Sequence, residues 1–437
     1  MPGSWTITAD WESLDSGSLE EQACFAALGI YADNVCLTEG KDSLANRLRY
    51  APLLSGYHLA EWLAWNWWRL RWEPRSKAPD WIYAHSVATI GGGYIWPNLN
   101  IYSDGQRTTI VATPTPERPQ TPFRYIANHS VVIPASEFED EIDIFIDQVL
   151  QRLDLSKITQ SNLHDIWNGV NEERCDERIA SLRKIEALMG REPDQSDPQI
   201  LENLLADAEQ LSLSGIEELA AEHGQSGAVH SAAELQEVAN QKGFDASPRN
   251  TVRLQDTSGL PGIGQAPAWV RGYHAARALR EQEGLNGECI TDCQLCDMSG
   301  VQADVLNDKI GSSGISFALD QNSNRSRIVL RSKWHDGRRF ELARLLGDRL
   351  VGPNGGRLFP ATRAYTYRQK MQRAFAAEFL SPFEAVDEML KGDYSVENQK
   401  DVSEHFKVSE LTIRTLLVNH RRLEREDLDL DFEAAAV

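Results

Sequence analysis

Cys289, Cys293 and Cys296 stand in the spacing C-x3-C-x2-C, that of the three thiolates that hold an iron–sulfur cluster in radical S-adenosylmethionine enzymes. That motif normally follows the first strand of a barrel, and only about 140 residues remain downstream of Cys296. A zinc site on the same cysteines needs a fourth ligand, and neither His274 nor His335 lies at a spacing that completes one. The leading reading is free, partly buried thiols; a metal there stays open, and no cofactor is expected. Six cysteines in so long a chain are too sparse for a disulfide framework. His58, His85 and His129 are available for acid–base work, but none stands in a recognisable arrangement with a nucleophile or a carboxylate. An enzyme with its site in that region is one alternative reading.

Two blocks further on carry more information. The first is Arg338-Arg339-Phe340-Glu341-Leu342-Ala343-Arg344-Leu345-Leu346-Gly347-Asp348-Arg349-Leu350. The second is Ala374-Phe375-Ala376-Ala377-Glu378-Phe379-Leu380-Ser381-Pro382. In order and register they resemble the ImmA/IrrE family of zinc metallopeptidases. There an Arg-Phe-x-Leu-Ala lead enters a helix carrying His-Glu-x-x-His, and a later helix carries Phe-Ala-Ala-Glu-x-Leu-x-Pro. The resemblance covers about 150 residues, from Tyr273 to near Leu423, and leaves the first 270 or so unexplained.

The resemblance implies a site that this chain has lost. Two histidines four apart on one helix face bind zinc, and the glutamate between them is the general base. The matching positions here are Arg344, Leu345 and Asp348. A guanidinium has no lone pair for zinc, and a leucine accepts no proton. The family's acidic third ligand comes from just before the second block, where this chain has Arg368-Gln369-Lys370-Met371-Gln372-Arg373. No metal is therefore expected there, and catalysis by this route is not expected. Arg344 and Asp348, one turn apart, are expected to pair, worth about 0.3–0.5 kcal/mol if exposed. Glu378 is read as a structural residue of its helix. The implied function is a protein-binding regulator or scaffold whose groove is framed by Arg339, Arg344, Asp348, Arg368, Arg373 and Glu378. By family analogy its partner is an encoded neighbour or repressor-like protein in bacterial stress response, phage defence or toxin–antitoxin regulation.

Val396 to Leu423 has a helix-turn-helix outline, with Val402, Phe406, Val408, Leu411, Ile413 and Leu417 apolar and Ser409 as a helix cap. Ser409, Thr412, Arg414, His420, Arg421, Arg422 and also Arg425 are the candidates for nucleic-acid contact. A DNA-binding regulator is thus a second alternative. The net charge of −21 and pI near 4.9 oppose it, because that field repels a phosphate backbone.

These residues must be positioned by a chain of 437 residues, long enough for two to four domains at roughly 100–200 residues each; three are expected. The fold class expected is α+β and multidomain. An aromatic-rich mixed α/β N-terminal domain spans 1–155, and an acidic helical middle with a Gly/Pro linker spans 156–267. A mainly helical peptidase-like domain with a small sheet spans 268–392. A helix-turn-helix-like segment (393–425) and an acidic tail (426–437) follow. In the first domain a helix begins near Tyr57 and carries Trp62, Trp65, Trp67, Trp68 and Trp72, read as core. Strand-like runs follow at Ile82 to Ile90, Tyr94 to Tyr102 and Arg107 to Ala112, the last two joined by a hairpin at Ser103-Asp104-Gly105-Gln106. Gly91-Gly92-Gly93 lacks the spacing of a phosphate loop and reads as a bend or bulge. Ser136 and Glu139 suggest a capping box, after which Phe138, Ile142, Phe145, Ile146, Val149 and Leu153 recur at helical spacing. In the middle segment helices are expected to break at Pro193, Pro198 and Gly215. The run Glu202, Asp207, Glu209, Glu217, Glu218 and Glu222 reads as a solvated face. Residues 1 to 25 lack the features of a signal peptide, and the apolar stretch from Tyr57 to Trp72 is broken by charges, so a cytoplasmic chain without membrane contact is expected.

Overall fold

A computed structural model of the chain describes residues 5–116, 122–227, 230–307, 314–353 and 355–424. The tail and Arg425 lie outside the described residues. The fold is α+β, 50% helix and 17% strand, so helix packing over several small antiparallel sheets supplies the cores. The chain divides into two compact units: Met1–Glu202 with Ala220–Gly227, and Asn203–Leu219 with Ala228–Val437. The acidic middle is thus shared between the units.

In the first unit Phe25–Ala32 pairs antiparallel with Trp5–Trp11, Val35–Cys36 and Leu53–Ser55. Arg107–Ala112 lies between Leu99–Ser103 and His129–Pro134 in a second sheet. The hairpin stands at 103–106: Asp104 Oδ1 accepts the N–H groups of Gln106 and Arg107, and Gly105 takes a φ of +93°. Against these sheets the helix Ala135–Leu155 buries Phe138, Ile142, Phe145, Ile146, Val149 and Leu153 completely, the apolar stripe that 3.6-residue periodicity demands. Trp67 and Trp68 are core, whereas Trp65 is exposed.

Four local expectations are corrected. The run Ile82 to Ile90 is a helix, Trp81–His85, with a 3-10 turn at Val87–Thr89. Trp81 and His85 stack one turn apart at 4.3 Å, so the decisive spacing there is four and not two. The strand expected from Tyr94 starts only at Leu99, beyond Pro97, which has no N–H for a ladder. The helix from Gly56 breaks at Asn66 into Gly56–Trp65 and Trp67–Trp72. The capping box at Ser136 does not form. Pro134 occupies the cap position straight out of its strand, and Glu139 is ion-paired with Arg71.

In the second unit the sheet order is Phe244–Ala246, Arg325–Val329, Ser316–Asn322, Leu358–Ala361, all antiparallel. Phe244–Ala246 lies before the Gly/Pro stretch, so this unit does not begin after that linker as expected. Among the helices that cover the core are Ala268–Gln282, His335–Val351 and Tyr367–Leu380. Gly215, expected to break a helix, sits in the first turn of Leu213–Ser226, where a Cβ would lie 3.1 Å from Leu358 Cβ. The first and third covering helices touch at Gly272, where a Cβ would stand 2.4 Å from the Met371 carbonyl oxygen. Gly272→Ala gains about 1 kcal/mol in helix propensity but overpacks against backbone at about 1–3 kcal/mol. We expect a net loss of stability, read as a lower urea midpoint; a raised midpoint would show that the helices can separate freely.

Candidate functional site

Arg344 and Asp348 lie one turn apart on the helix His335–Val351, and Arg368, Gln369 and Gln372 face them from Tyr367–Leu380. Thr366 starts the second helix, its hydroxyl accepting the Gln369 N–H. The Asp348 carboxylate takes both prongs of the Arg368 guanidinium, at 2.7 Å from Nε and 2.6 Å from Nη2. Arg368 Nη1 also donates to the Ser214 carbonyl at 3.1 Å. Glu218 joins the cluster, accepting from the Thr366 hydroxyl at 2.7 Å. Arg344, Asp348, Thr366, Arg368, Gln369, Gln372 and Glu218 are all buried.

The pairing of Arg344 with Asp348 does not occur. A fork-to-fork bond to Arg368 satisfies both carboxylate oxygens, which a neighbour on the same helix cannot match. Arg344 Nη2 donates instead to three uncharged oxygens: Thr362 O at 2.7 Å, Gln369 Oε1 at 2.5 Å and Gln372 Oε1 at 3.3 Å. The two glutamines are held in turn by donating to Pro360 O. Among the described residues Arg344 Nε has no hydrogen-bond partner. Arg344 is thus a buried cation with no carboxylate bonded to it. Burial, then the nearby Arg373 charge, lower its pKa to about 9. Burial also works against the charge of Arg368, but Asp348 together with Glu218 and Glu217 outweighs it and raises the Arg368 pKa. Burial pushes the Glu218 carboxyl up to about 6, with Arg368 pulling the other way.

Leu345 is 1% exposed and belongs to the hydrophobic core. Arg373 donates to the Ala364 carbonyl and lies over the Tyr365 ring at 5.4 Å. Arg344, Asp348, Arg368 and Arg373 are therefore brought together, while Arg339 and Glu378 are committed elsewhere. Arg339 is bonded to Asp292 and to the Ile290 carbonyl. Glu378 accepts the Phe383 N–H at 3.0 Å, capping the first turn of Phe383–Leu390, and burial pushes its carboxyl up to about 7. Sequence reasoning missed Glu218, together with Thr362 and Gln369. Glu218 and Glu222 are buried, which corrects the solvated-face reading for those two. No local signal marks Glu218, because its partner Thr366 is 148 positions away.

The remaining candidates fall into place individually. Ser409 Oγ accepts the Thr412 N–H and caps Glu410–Asn419. His420 stacks on Phe383 at 3.7 Å, and Arg422 pairs with Asp387 at 2.7 Å. Arg414 Nε reaches Gln399 at 3.4 Å, and Arg421 has a φ of +57°. Cys296 is buried, its thiol pushed up to about 12 chiefly by burial, while Cys293 is exposed. Among the described residues no group of three or more His, Cys, Asp or Glu is placed to hold a metal ion. Nor is any helix among them long and apolar enough to cross a membrane. His85 is wholly buried, bonded to Ile101 O and to Glu73, and His129 Nε2 is buried without a partner.

Comparison of the chain with protein-family models, curated proteins and solved structures finds no match in any of the three. The functional reading therefore rests on residues and geometry.

Proposed function

We propose that the second unit is an ImmA/IrrE-like pseudo-peptidase that regulates by binding a protein partner and cleaves no bond. One arrangement carries the reading. Where the zinc mechanism requires imidazoles, a base and an acidic ligand, Arg344, Asp348 and Arg368 form a buried clasp between two helices and Leu345 belongs to the hydrophobic core. Each substituted position has a structural job, so the fold is maintained for something other than catalysis. Arg373 adds positive charge near Arg344 and lies over the exposed Tyr365 ring, while Arg331, also near, is paired with Glu341 at 3.3 Å. The Arg373 guanidinium beside an exposed aromatic ring, on a chain of net charge −21, suits a partner that presents carboxylates. The family analogy points to a repressor-like or neighbour-encoded protein.

The test is purification of the full chain from its native host with and without Arg373→Glu, using Lys41→Glu as a charge-matched control in the first unit. The wild type and the control are expected to retain the same intact protein, and Arg373→Glu to lose it at least tenfold, a difference of about 1.4 kcal/mol. Equal retention by all three, or a partner recovered in cleaved form, would sink the reading.

A further inference from the structure

We propose that the first unit carries a binding cleft for an organic cation, a guanidinium or alkylammonium group. The proposal does not depend on the pseudo-peptidase reading. The cleft, of about 330 Å³, lies where the helix Gly56–Trp65 meets Tyr83, Thr89, Ile90 and Asn162. Its size suits one basic group and its stem, and among the described residues its lining includes no lysine or arginine.

The walls are aromatic faces. Trp65 is 58% exposed and Tyr83 68% exposed, and Trp62 is held beside them by donating to the Tyr83 carbonyl. Three of its polar side chains leave an acceptor over, for a reason that follows from their partners. Asn66 Nδ2 donates to the Trp62 carbonyl at 2.8 Å, and Asn162 Nδ2 donates to Glu61 Oε1 at 2.8 Å. Both partners can only accept, so each amide must turn its nitrogen to the protein and leave its oxygen over. Among the described residues no donor reaches Asn66 Oδ1, Asn162 Oδ1 or Glu61 Oε2. The Thr89 hydroxyl proton is likewise engaged, with the Tyr83 and Ser86 carbonyls in reach. His58 Nδ1 is buried without a partner on the same wall.

A phosphate or carboxylate would meet Glu61 with no cation to receive it. A cation with several N–H groups matches both features, through the open oxygens and through the negative faces of the indoles. The overall charge of −21 raises the local concentration of cations further. The Gly91-Gly92-Gly93 turn also finds its reason here. All three glycines have positive φ, and a Cβ on Gly92 would stand 3.1 Å from the His58 ring that lines the cleft.

Calorimetric titration of the full chain with agmatine, and separately with the tripeptide Gly-Arg-Gly amide, tests this. Saturable binding of at least one probe is expected, with Trp65→Ala and Glu61→Gln each weakening it about tenfold. Trp334→Ala, an exposed indole in the other unit, is expected to leave it unchanged. Trp65 is exposed, and Glu61→Gln retains an acceptor for Tyr57 and Asn162, so both variants should fold, as circular dichroism will check. Tighter binding of the peptide assigns the site to a basic protein segment, and tighter binding of agmatine assigns it to a free amine. No saturable heat with either probe, or wild-type affinity in both cleft variants, overturns the proposal.

Discussion

Replacing Asp348 with alanine is expected to destabilise the second unit by about 3–5 kcal/mol, because Arg368 is left as a buried charge without its carboxylate. The magnitude follows from geometry: both Asp348 oxygens are bonded to Arg368, and neither residue is exposed. An exposed pair on one helix would be worth about 0.3–0.5 kcal/mol, so the size of the loss separates the two arrangements. The double variant Asp348→Leu with Arg368→Met is expected to recover most of the loss, since an apolar replacement of a buried pair is often neutral or better. Recovery should be fuller at pH 5.5 than at pH 8. Without Arg368 the Glu218 carboxyl rises above its value of about 6, so it is neutral at the lower pH and a buried anion at the higher. Urea midpoints of the three proteins at both pH values check this. A loss under 1 kcal/mol for Asp348→Ala would mean that the clasp is not desolvated.

Glu378→Gln is expected to stabilise the second unit at pH 8 by up to about 3 kcal/mol, given about 1.4 kcal/mol per pKa unit. The folded carboxyl titrates at about 7 against an ordinary 4.5. Between those values the folded state holds a proton that the unfolded chain releases, so the contribution of Glu378 is full below pH 4.5 and is lost as pH rises through 7. Glutamine keeps an oxygen for the Phe383 N–H and has no proton to lose. The variant should match the wild type near pH 4.5, pull ahead from pH 5 to 8, and retain only the shallower slope that Glu218 supplies up to about pH 6. Unfolding midpoints measured every half unit of pH give the two curves. A variant that tracks the wild type throughout would show that this carboxyl is ionised and solvated, as a carboxylate at a working site would be.

Both variants bear on function through the same observation. Arg344, Asp348 and Arg368 are engaged in holding helices together, so the properties to measure first are stability and binding. The two proposed recognition features lie in different units and select opposite charges: carboxylates near Arg344 and Arg373, and organic cations over Trp65 and Glu61. Variants in one therefore leave the other as an internal control.

Much of this was readable from residue order. That Arg344, Leu345 and Asp348 offer zinc no imidazole is a matter of residue identity, and no fold can restore a lone pair to a guanidinium. The buried stripe from Phe138 to Leu153 and the Asp104-Gly105 turn follow from spacing, because helix period and positive φ are local requirements. Tertiary structure alone decided which partner each polar group took. Asp348 chose Arg368 over Arg344, and Glu218 entered the clasp from far upstream, because bond choice depends on distances that only packing sets. It also decided that Phe244–Ala246 is an edge strand, three residues being too few to show a period. Periodicity reports which face of an element is buried; it does not report what lies across from it.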